Sequence, residues 1–364
     1  MKQPFERLNL SLPVFLVLIA SCSDSSPTGP DLSDLHYQLV ELNVAGSERA
    51  SVTSISPDGT ILGGSASVRV GGVLTEVAAI WLSNGQRVDI PAFAGLSAGI
   101  MGIENNGAAV GWTTQEIEVD WPSVPGIVSG SSWTRLPTLS APHEFGSAKA
   151  ISNGVVVGIA VDEDWDVSEP WVRENGVTRS LGSFGGESGD ATDVNTTGQI
   201  VGWSQVAGEP WRSEGFLVQP GGTLATATRI AGLGGNTTFV RAVNDFGTVL
   251  GDSADPGGRT HGFIWSASAG ITQIVSPPQG ANFVISRSIN NHNQVVGDGP
   301  SSDGSPEAWY WDRVNGKLAL DSMVDLPTGW RIIRAWSIAN DGSIAATARD
   351  GSGNDRAVVL RPSR

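Results

Sequence analysis

Few residues in this 364-residue chain are able to do chemistry, and they are scattered. Its four histidines, His36, His143, His261 and His292, stand far apart, and none belongs to an HExxH pair. A zinc centre or a Ser-His-Asp relay would have to be assembled from remote segments. Carboxylates do cluster, with Asp162, Glu163, Asp164, Asp166 and Glu169 inside one short stretch. Alternating oxygens in a loop suit calcium, which makes Asp162, Asp164 and Asp166 candidate ligands. The plainer reading is a solvated acidic loop, since no glycine turns the stretch as in an EF-hand. Asp350-Gly-Ser-Gly-Asn-Asp355 invites the same two readings. Aromatic residues offer more. Of thirteen Trp, five (Trp81, Trp171, Trp265, Trp309 and Trp311) sit in apolar segments and read as core. Trp112 and Trp203 each follow a Val-Gly pair, whereas Trp121, Trp165 and Trp330 lie in polar connections. Together with Asp164, Asp252 and Asp298 these five are the candidate ligand-binding set. Indole faces stack on sugar rings and carboxylates take their hydroxyls. The alternative is that these indoles only fill space between loops. No catalytic residue is identified.

The elements that must position these residues repeat. A strand-like segment, a polar turn and a second strand-like segment recur seven times. The turns are Ile55-Ser-Pro-Asp-Gly59, Ile103-Glu-Asn-Asn-Gly107, Ile151-Ser-Asn-Gly154, Val194-Asn-Thr-Thr-Gly198, Val243-Asn-Asp-Phe-Gly247, Ile289-Asn-Asn-His-Asn293 and Ile338-Ala-Asn-Asp-Gly342. Such hairpin loops close on a residue with positive φ, usually Gly; Asn, which stands at 293, tolerates that conformation next best. The closing residues are spaced by 48, 47, 44, 49, 46 and 49. A period near 47 built from short strands marks a propeller. A third segment recurs at Ala79–Trp81, Pro170–Val172, Gly215–Leu217, Gly262–Trp265, Ala308–Trp311 and Arg356–Leu360. A weaker fourth comes after it, as in Val88–Ile90, Val177–Leu181 and Ile271–Val275. The expectation is an all-β, seven-bladed β-propeller with four antiparallel strands per blade. The last repeat lacks its fourth strand, and an extra strand, Tyr37–Leu42, precedes the first hairpin. This strand is expected to complete the seventh blade by pairing with Arg356–Leu360. Thr113 to Gly130 reads as the longest connection.

The segments His261-Gly-Phe-Ile-Trp265, Leu181-Gly-Ser-Phe-Gly-Gly186, Ala231-Gly-Leu-Gly-Gly235 and Val194-Asn-Thr-Thr-Gly-Gln-Ile-Val-Gly-Trp-Ser204 together resemble the HAF family of probable extracellular repeat proteins. That family is named for a His-Ala-Phe triplet, which stands here as His261-Gly262-Phe263. Leu326-Pro-Thr-Gly-Trp330, with Ala335 and Ile338-Ala-Asn-Asp-Gly342 after it, is similar to the way such chains end. The resemblance spans about residues 36 to 362 and implies a fold and a location, with no activity or site attached. Other repeats place Glu169, Glu214 and Glu307 where His261 stands, so that position reads as a structural one.

Residues 1–21 carry Lys2 and Arg7, an apolar run from Leu10 to Ala20, and then Ser21. The run is too short to span a bilayer and has the layout of a signal peptide. Ile19-Ala-Ser-Cys22 resembles the lipobox of bacterial lipoproteins, which implies lipid on Cys22, the only cysteine. With Ser23 after it, the resemblance points to the outer membrane. Residues 22–35 are rich in Ser, Pro, Gly and Asp and read as a tether. Residues 36–362 are the expected propeller. The tether is expected to attach opposite the loops that carry the candidate Trp residues. A net charge of −15 argues against nucleic acid. The expected function is a monomeric, lipid-anchored, non-catalytic module that binds glycan or an envelope protein, with no cofactor unless the acidic loops hold calcium. The alternatives are a polysaccharide hydrolase or lyase and a ligand-free structural protein.

Overall fold

The computed structural model describes residues 35–92, 97–114 and 123–363. Cys22, the signal-like segment, nearly all of the tether and Trp121 lie outside the described residues. Strand β1 (His36–Glu41) is followed by six blades of four consecutive strands. Blade 1 is β2 (Arg49–Ile55), β3 (Leu62–Val70), β4 (Val73–Trp81) and β5 (Arg87–Ile90). Blade 2 is β6 (Ala98–Ile103), β7 (Ala109–Thr114), β8 (Ser123–Ser129) and β9 (Ser132–Arg135). Blade 3 comprises β10 (Phe145–Ser152), β11 (Val155–Val161), β12 (Ser168–Glu174) and β13 (Val177–Ser180). Blade 4 comprises β14 (Gly185–Val194), β15 (Ile200–Val206), β16 (Glu209–Val218) and β17 (Thr228–Ile230). Blade 5 is built from β18 (Thr238–Val243), β19 (Val249–Ala254), β20 (Thr260–Ser266) and β21 (Gly270–Val275). Blade 6 is built from β22 (Ile285–Ile289), β23 (Val295–Pro300), β24 (Pro306–Asp312) and β25 (Gly316–Ala319). The last three strands, β26 (Arg331–Ile338), β27 (Ile344–Arg349) and β28 (Asp355–Ser363), take β1 as their outer neighbour. The ring is a seven-bladed propeller, closed as the sequence implies: Leu39 pairs with Leu360 and Glu41 with Val358.

One expected connection is a strand instead. Ser123–Ser129 is the third strand of blade 2, so the connection read across Thr113 to Gly130 is shorter than expected. Pro125 disguises it, because proline cannot donate to a ladder. The backbone nitrogen of a strand residue lies on the side of its own carbonyl, and the Pro125 carbonyl accepts the Leu136 N–H at 2.9 Å, just past the end of β9. The missing donor therefore falls where the outer strand has ended. Pro170 sits the same way in β12, its carbonyl taking the Leu181 N–H at 2.9 Å.

Apolar residues form layers between neighbouring blades. Val157 and Val172 of blade 3 meet Ala191, Ile200 and Phe216 of blade 4. Val296 and Tyr310 of blade 6 likewise meet Ile332, Ala346 and Val358 of blade 7. Polar turns tie the same blades. Asn195 accepts the Thr197 and Gln199 N–H groups through Oδ1, capping its own turn, and donates through Nδ2 to the Asn244 carbonyl at 2.9 Å. Asn244 repeats this toward Asn290 at 3.1 Å, and Asn290 toward Ala339 at 2.9 Å. One side chain type thus closes a turn and clasps the next blade.

Every innermost strand carries a β-bulge at the same place. At that shared place the unpaired residue is Thr53, Met101, Lys149, Thr192, Arg241, Arg287 or Trp336, one per blade, and β14 and β26 each carry a second irregularity nearer their start. A bulge turns the chain so that the carbonyl before it crowds the partner strand. Opposite it stands Gly64, Gly111, Gly158, Gly202, Gly251 or Gly297, and in blade 7 Ala346. A Cβ on Gly202 would lie 2.0 Å from the Asp190 carbonyl oxygen and 2.6 Å from the Phe216 ring. The recurring Val-Gly pair is therefore the sequence trace of the bulge.

Candidate functional site

All seven bulged residues line the central cavity, which encloses about 450 Å³ between the innermost strands and their turns. The larger ones, Lys149, Arg241, Arg287 and Trp336, stand on its wall. Arg241, Arg287 and Trp336 each lean toward a fixed partner, the residue that follows the glycine (alanine in blade 7) on the blade's own second strand. Arg241 Nε donates to Asp252 Oδ2 at 3.1 Å, Arg287 Nε to Asp298 Oδ1 at 2.8 Å, and Trp336 Nε1 to Thr347 Oγ1 at 2.9 Å. In blades 2 and 4 the residue after the glycine is Trp112 or Trp203. Four of the candidates named from sequence, Trp112, Trp203, Asp252 and Asp298, thus share one tier of the ring. The bulged residues Lys149, Arg241, Arg287 and Trp336 carry no motif of their own. The bulge has to be located first.

Around Arg241 the arrangement is densest. Its guanidinium lies 5.5 Å from the centre of the Phe239 ring, and Phe239 meets Trp203 edge to face at 5.1 Å. Asp252 is 1% exposed and takes a second bond from the Ser286 N–H at 2.8 Å. Burial pushes its carboxyl up despite the opposing charge of Arg241. Asp190 is buried with Lys149 Nζ 3.8 Å away, and burial outweighs Lys149 and Arg241 in pushing it up as well. One Asp190 oxygen, Oδ1, has no hydrogen-bond partner. In blade 7, Trp336 carries two guanidinium groups over its ring, Arg287 at 4.7 Å and Arg334 at 5.5 Å.

Beside Trp203 a groove of about 210 Å³ opens, lined by Trp203, Gln205, Pro210, Trp211, Arg212 and Phe239 among others. Trp211 is 84% exposed, so its indole face is offered to solvent. It is absent from the candidates drawn from sequence because the third segment of this repeat reads there as Gly215–Leu217, whereas β16 begins at Glu209 and carries Trp211 near its start.

The remaining candidates lie elsewhere. Trp165 stands in the loop between β11 and β12 with φ of 62° and is 55% exposed. Trp330 packs against the apolar layer of blade 7. Asp162 Oδ1 accepts the Val167 N–H at 3.1 Å within its own turn, and Asp164 and Asp166 are exposed. Among the described residues no three carboxylate, thiol or imidazole groups converge as a metal site. His261 bonds Asp255 through Nε2 at 3.0 Å and Ser276 through Nδ1 at 3.1 Å. This superficially triad-like chain matches clamps in other blades, where Glu169 holds Ser180, Glu214 holds Arg229 and Glu307 holds Lys317. It ties the third strand to the end of the fourth.

No family model matches the chain, and no curated protein is similar to it. Solved structures are similar in fold. Pyrococcus horikoshii acylaminoacyl peptidase is 11% identical with a TM-score of 0.43, covering 77% of this chain and 54% of that one, so the chain spans about half its length. TolB from Acinetobacter baumannii is 11% identical with a TM-score of 0.44, covering 86% of this chain and 79% of that one. A puromycin hydrolase is 14% identical with a TM-score of 0.50, covering 88% of this chain and 55% of that one. At these identities the likeness speaks to the propeller alone.

Proposed function

We propose that this propeller is a non-catalytic glycan-binding module, held at the bacterial envelope through lipid on Cys22. The observation that carries the reading is the groove where Trp211, exposed over most of its surface, joins Trp203 and Phe239. A pyranose ring presents an apolar face that an indole covers, while Gln205 and Arg212 stand beside it to take hydroxyls. The anchor rests on the lipobox-like Ile19-Ala-Ser-Cys22.

The test is a polysaccharide-binding screen followed by Trp211→Ala. Because Trp211 is almost wholly exposed, its removal should leave the urea midpoint unchanged while weakening glycan binding about tenfold, the worth of one well-used stacking face. Unchanged affinity in that variant would refute the groove. Product accumulating with time would replace binding by catalysis. Separately, Cys22→Ala should move the protein from the membrane to the soluble fraction; a variant that stays with the membrane would remove the anchor from the reading.

A further inference from the structure

The chain carries a net charge of −15, yet the seven bulged residues facing the channel include three cations and no anion. Lys149 is one of only three lysines in the sequence. The carboxylates that balance these cations stand behind or beside them. Asp252 and Asp298 lie one strand further out, and Asp190 is buried against Lys149. Asp193, in β14, and Asp245, in the turn of blade 5, also line the cavity, so it is at the bulged tier itself that a ligand meets ammonium and guanidinium groups. The donors are incompletely used: Arg241 spends Nε on Asp252, and Lys149 approaches Asp190 only at 3.8 Å. Asp190 Oδ1, buried in the cavity wall without a partner, is an acceptor waiting for a hydroxyl. Arg241 also links this wall to the groove, since its guanidinium lies over Phe239, whose ring lines the groove with Trp203 and Trp211.

We infer that the glycan is acidic. Its carboxylate is taken by Lys149, Arg241 and Arg287, a neighbouring hydroxyl donates to Asp190, and the adjoining sugar unit lies in the groove against Trp203 and Trp211. This rests on the glycan-binding reading above and deepens it. A cavity of about 450 Å³ has the size of one or two sugar units. Charge-assisted bonds from guanidinium to carboxylate are stronger than neutral ones, and the low-dielectric wall strengthens them further.

Three probes separate the outcomes on the full-length protein by calorimetry: a trimeric oligouronate, its methyl ester, and inorganic phosphate. The acid should bind about tenfold more tightly than the ester, and that advantage should shrink as salt rises to about 0.3 M. Lys149→Met should cut the advantage about fivefold, weakening the acid more than the ester, because Lys149 is the least tied of the three cations. Arg241 and Arg287 are poorer targets, since each holds a buried aspartate. If acid and ester bind equally, and both weaken in Trp211→Ala, the acidic preference is wrong while the glycan reading stands. If neither sugar binds, both fall. If phosphate binds as tightly as the oligouronate, the channel is a plain anion site and the inference is overturned.

Discussion

Asp193 shows how a single side chain is set by the ring around it. It follows the bulged Thr192, and its two oxygens accept the N–H of Val194 at 2.8 Å and that of Val243, in the next blade, at 2.9 Å. Both bonds favour the carboxylate. Burial opposes them, Asp245 adds like charge, and the balance pushes the group up to about 7. The unfolded chain, with Asp near 3.8, gives up this proton that the fold retains up to about 7, so the fold loses stability as pH climbs between those values. Above that range the penalty is constant, and below the unfolded value it is absent. Asp193→Asn removes the titration, so its urea midpoint should change less between about pH 5 and about pH 8 than that of the unmodified protein. Parallel pH profiles would mean that Asp193 does not titrate in this window. Protonation also removes a negative charge from the channel wall, so acidic glycans should bind more tightly at about pH 6 than at about pH 8.

At the scale of the strand and turn, two devices repeat and each predicts a cost. Asn244 caps its own turn through Oδ1 and reaches the Asn290 carbonyl through Nδ2. Asn244→Ala uncaps the turn and leaves the buried Asn290 carbonyl without this donor, and should cost about 2–4 kcal/mol in denaturant titration, more than a turn cap alone is worth. Asn244→Asp keeps the cap and loses the clasp, so it should fall between the two; a neutral Asp variant would show that the blade-to-blade bond contributes nothing. Gly202→Ala pushes a methyl into the Asp190 carbonyl and the Phe216 ring, and should cost about 3 kcal/mol or more. These devices explain what can be read from the chain. Turn asparagines and glycines, including Asn293 with φ of 57°, fix hairpins locally, so seven copies yield the blade count without any long-range information. Trp112, Trp203, Asp252 and Asp298 stand out because each follows the glycine that answers a bulge. Lys149, Arg241 and Arg287 escape notice because an unpaired residue looks like any other in an alternating strand. The groove escapes because β16 extends N-terminally past the apolar Gly215–Leu217 segment, and Trp211 lies in that polar extension.

For the whole molecule the decisive element is β1, which joins two chain ends more than three hundred residues apart. Tyr37 pairs with Pro362 on one side and bridges Val324 on the other, so the outer edge of blade 7 is covered where its fourth strand would otherwise end bare. Its ring is 1% exposed and packs with Met323, Val324, Val358 and Leu360, which belong to the blade 6–blade 7 connection and to β28. Removing it therefore damages closure and an inter-blade layer together. In a ring each blade is held by two neighbours, so loosening one blade exposes the apolar faces of both, and the cost is felt by the whole fold. Tyr37→Ala should lower stability by about 3–5 kcal/mol, the usual cost of truncating a buried aromatic side chain. Val40, on the same strand but 41% exposed, provides the control: Val40→Ala should change stability by less than about 1 kcal/mol. If closure makes the ring one cooperative unit, Tyr37→Ala will shift tryptophan fluorescence and far-ultraviolet dichroism to the same lower midpoint. Two separated transitions would mean that blade 7 opens by itself and that the remaining six blades stand without it.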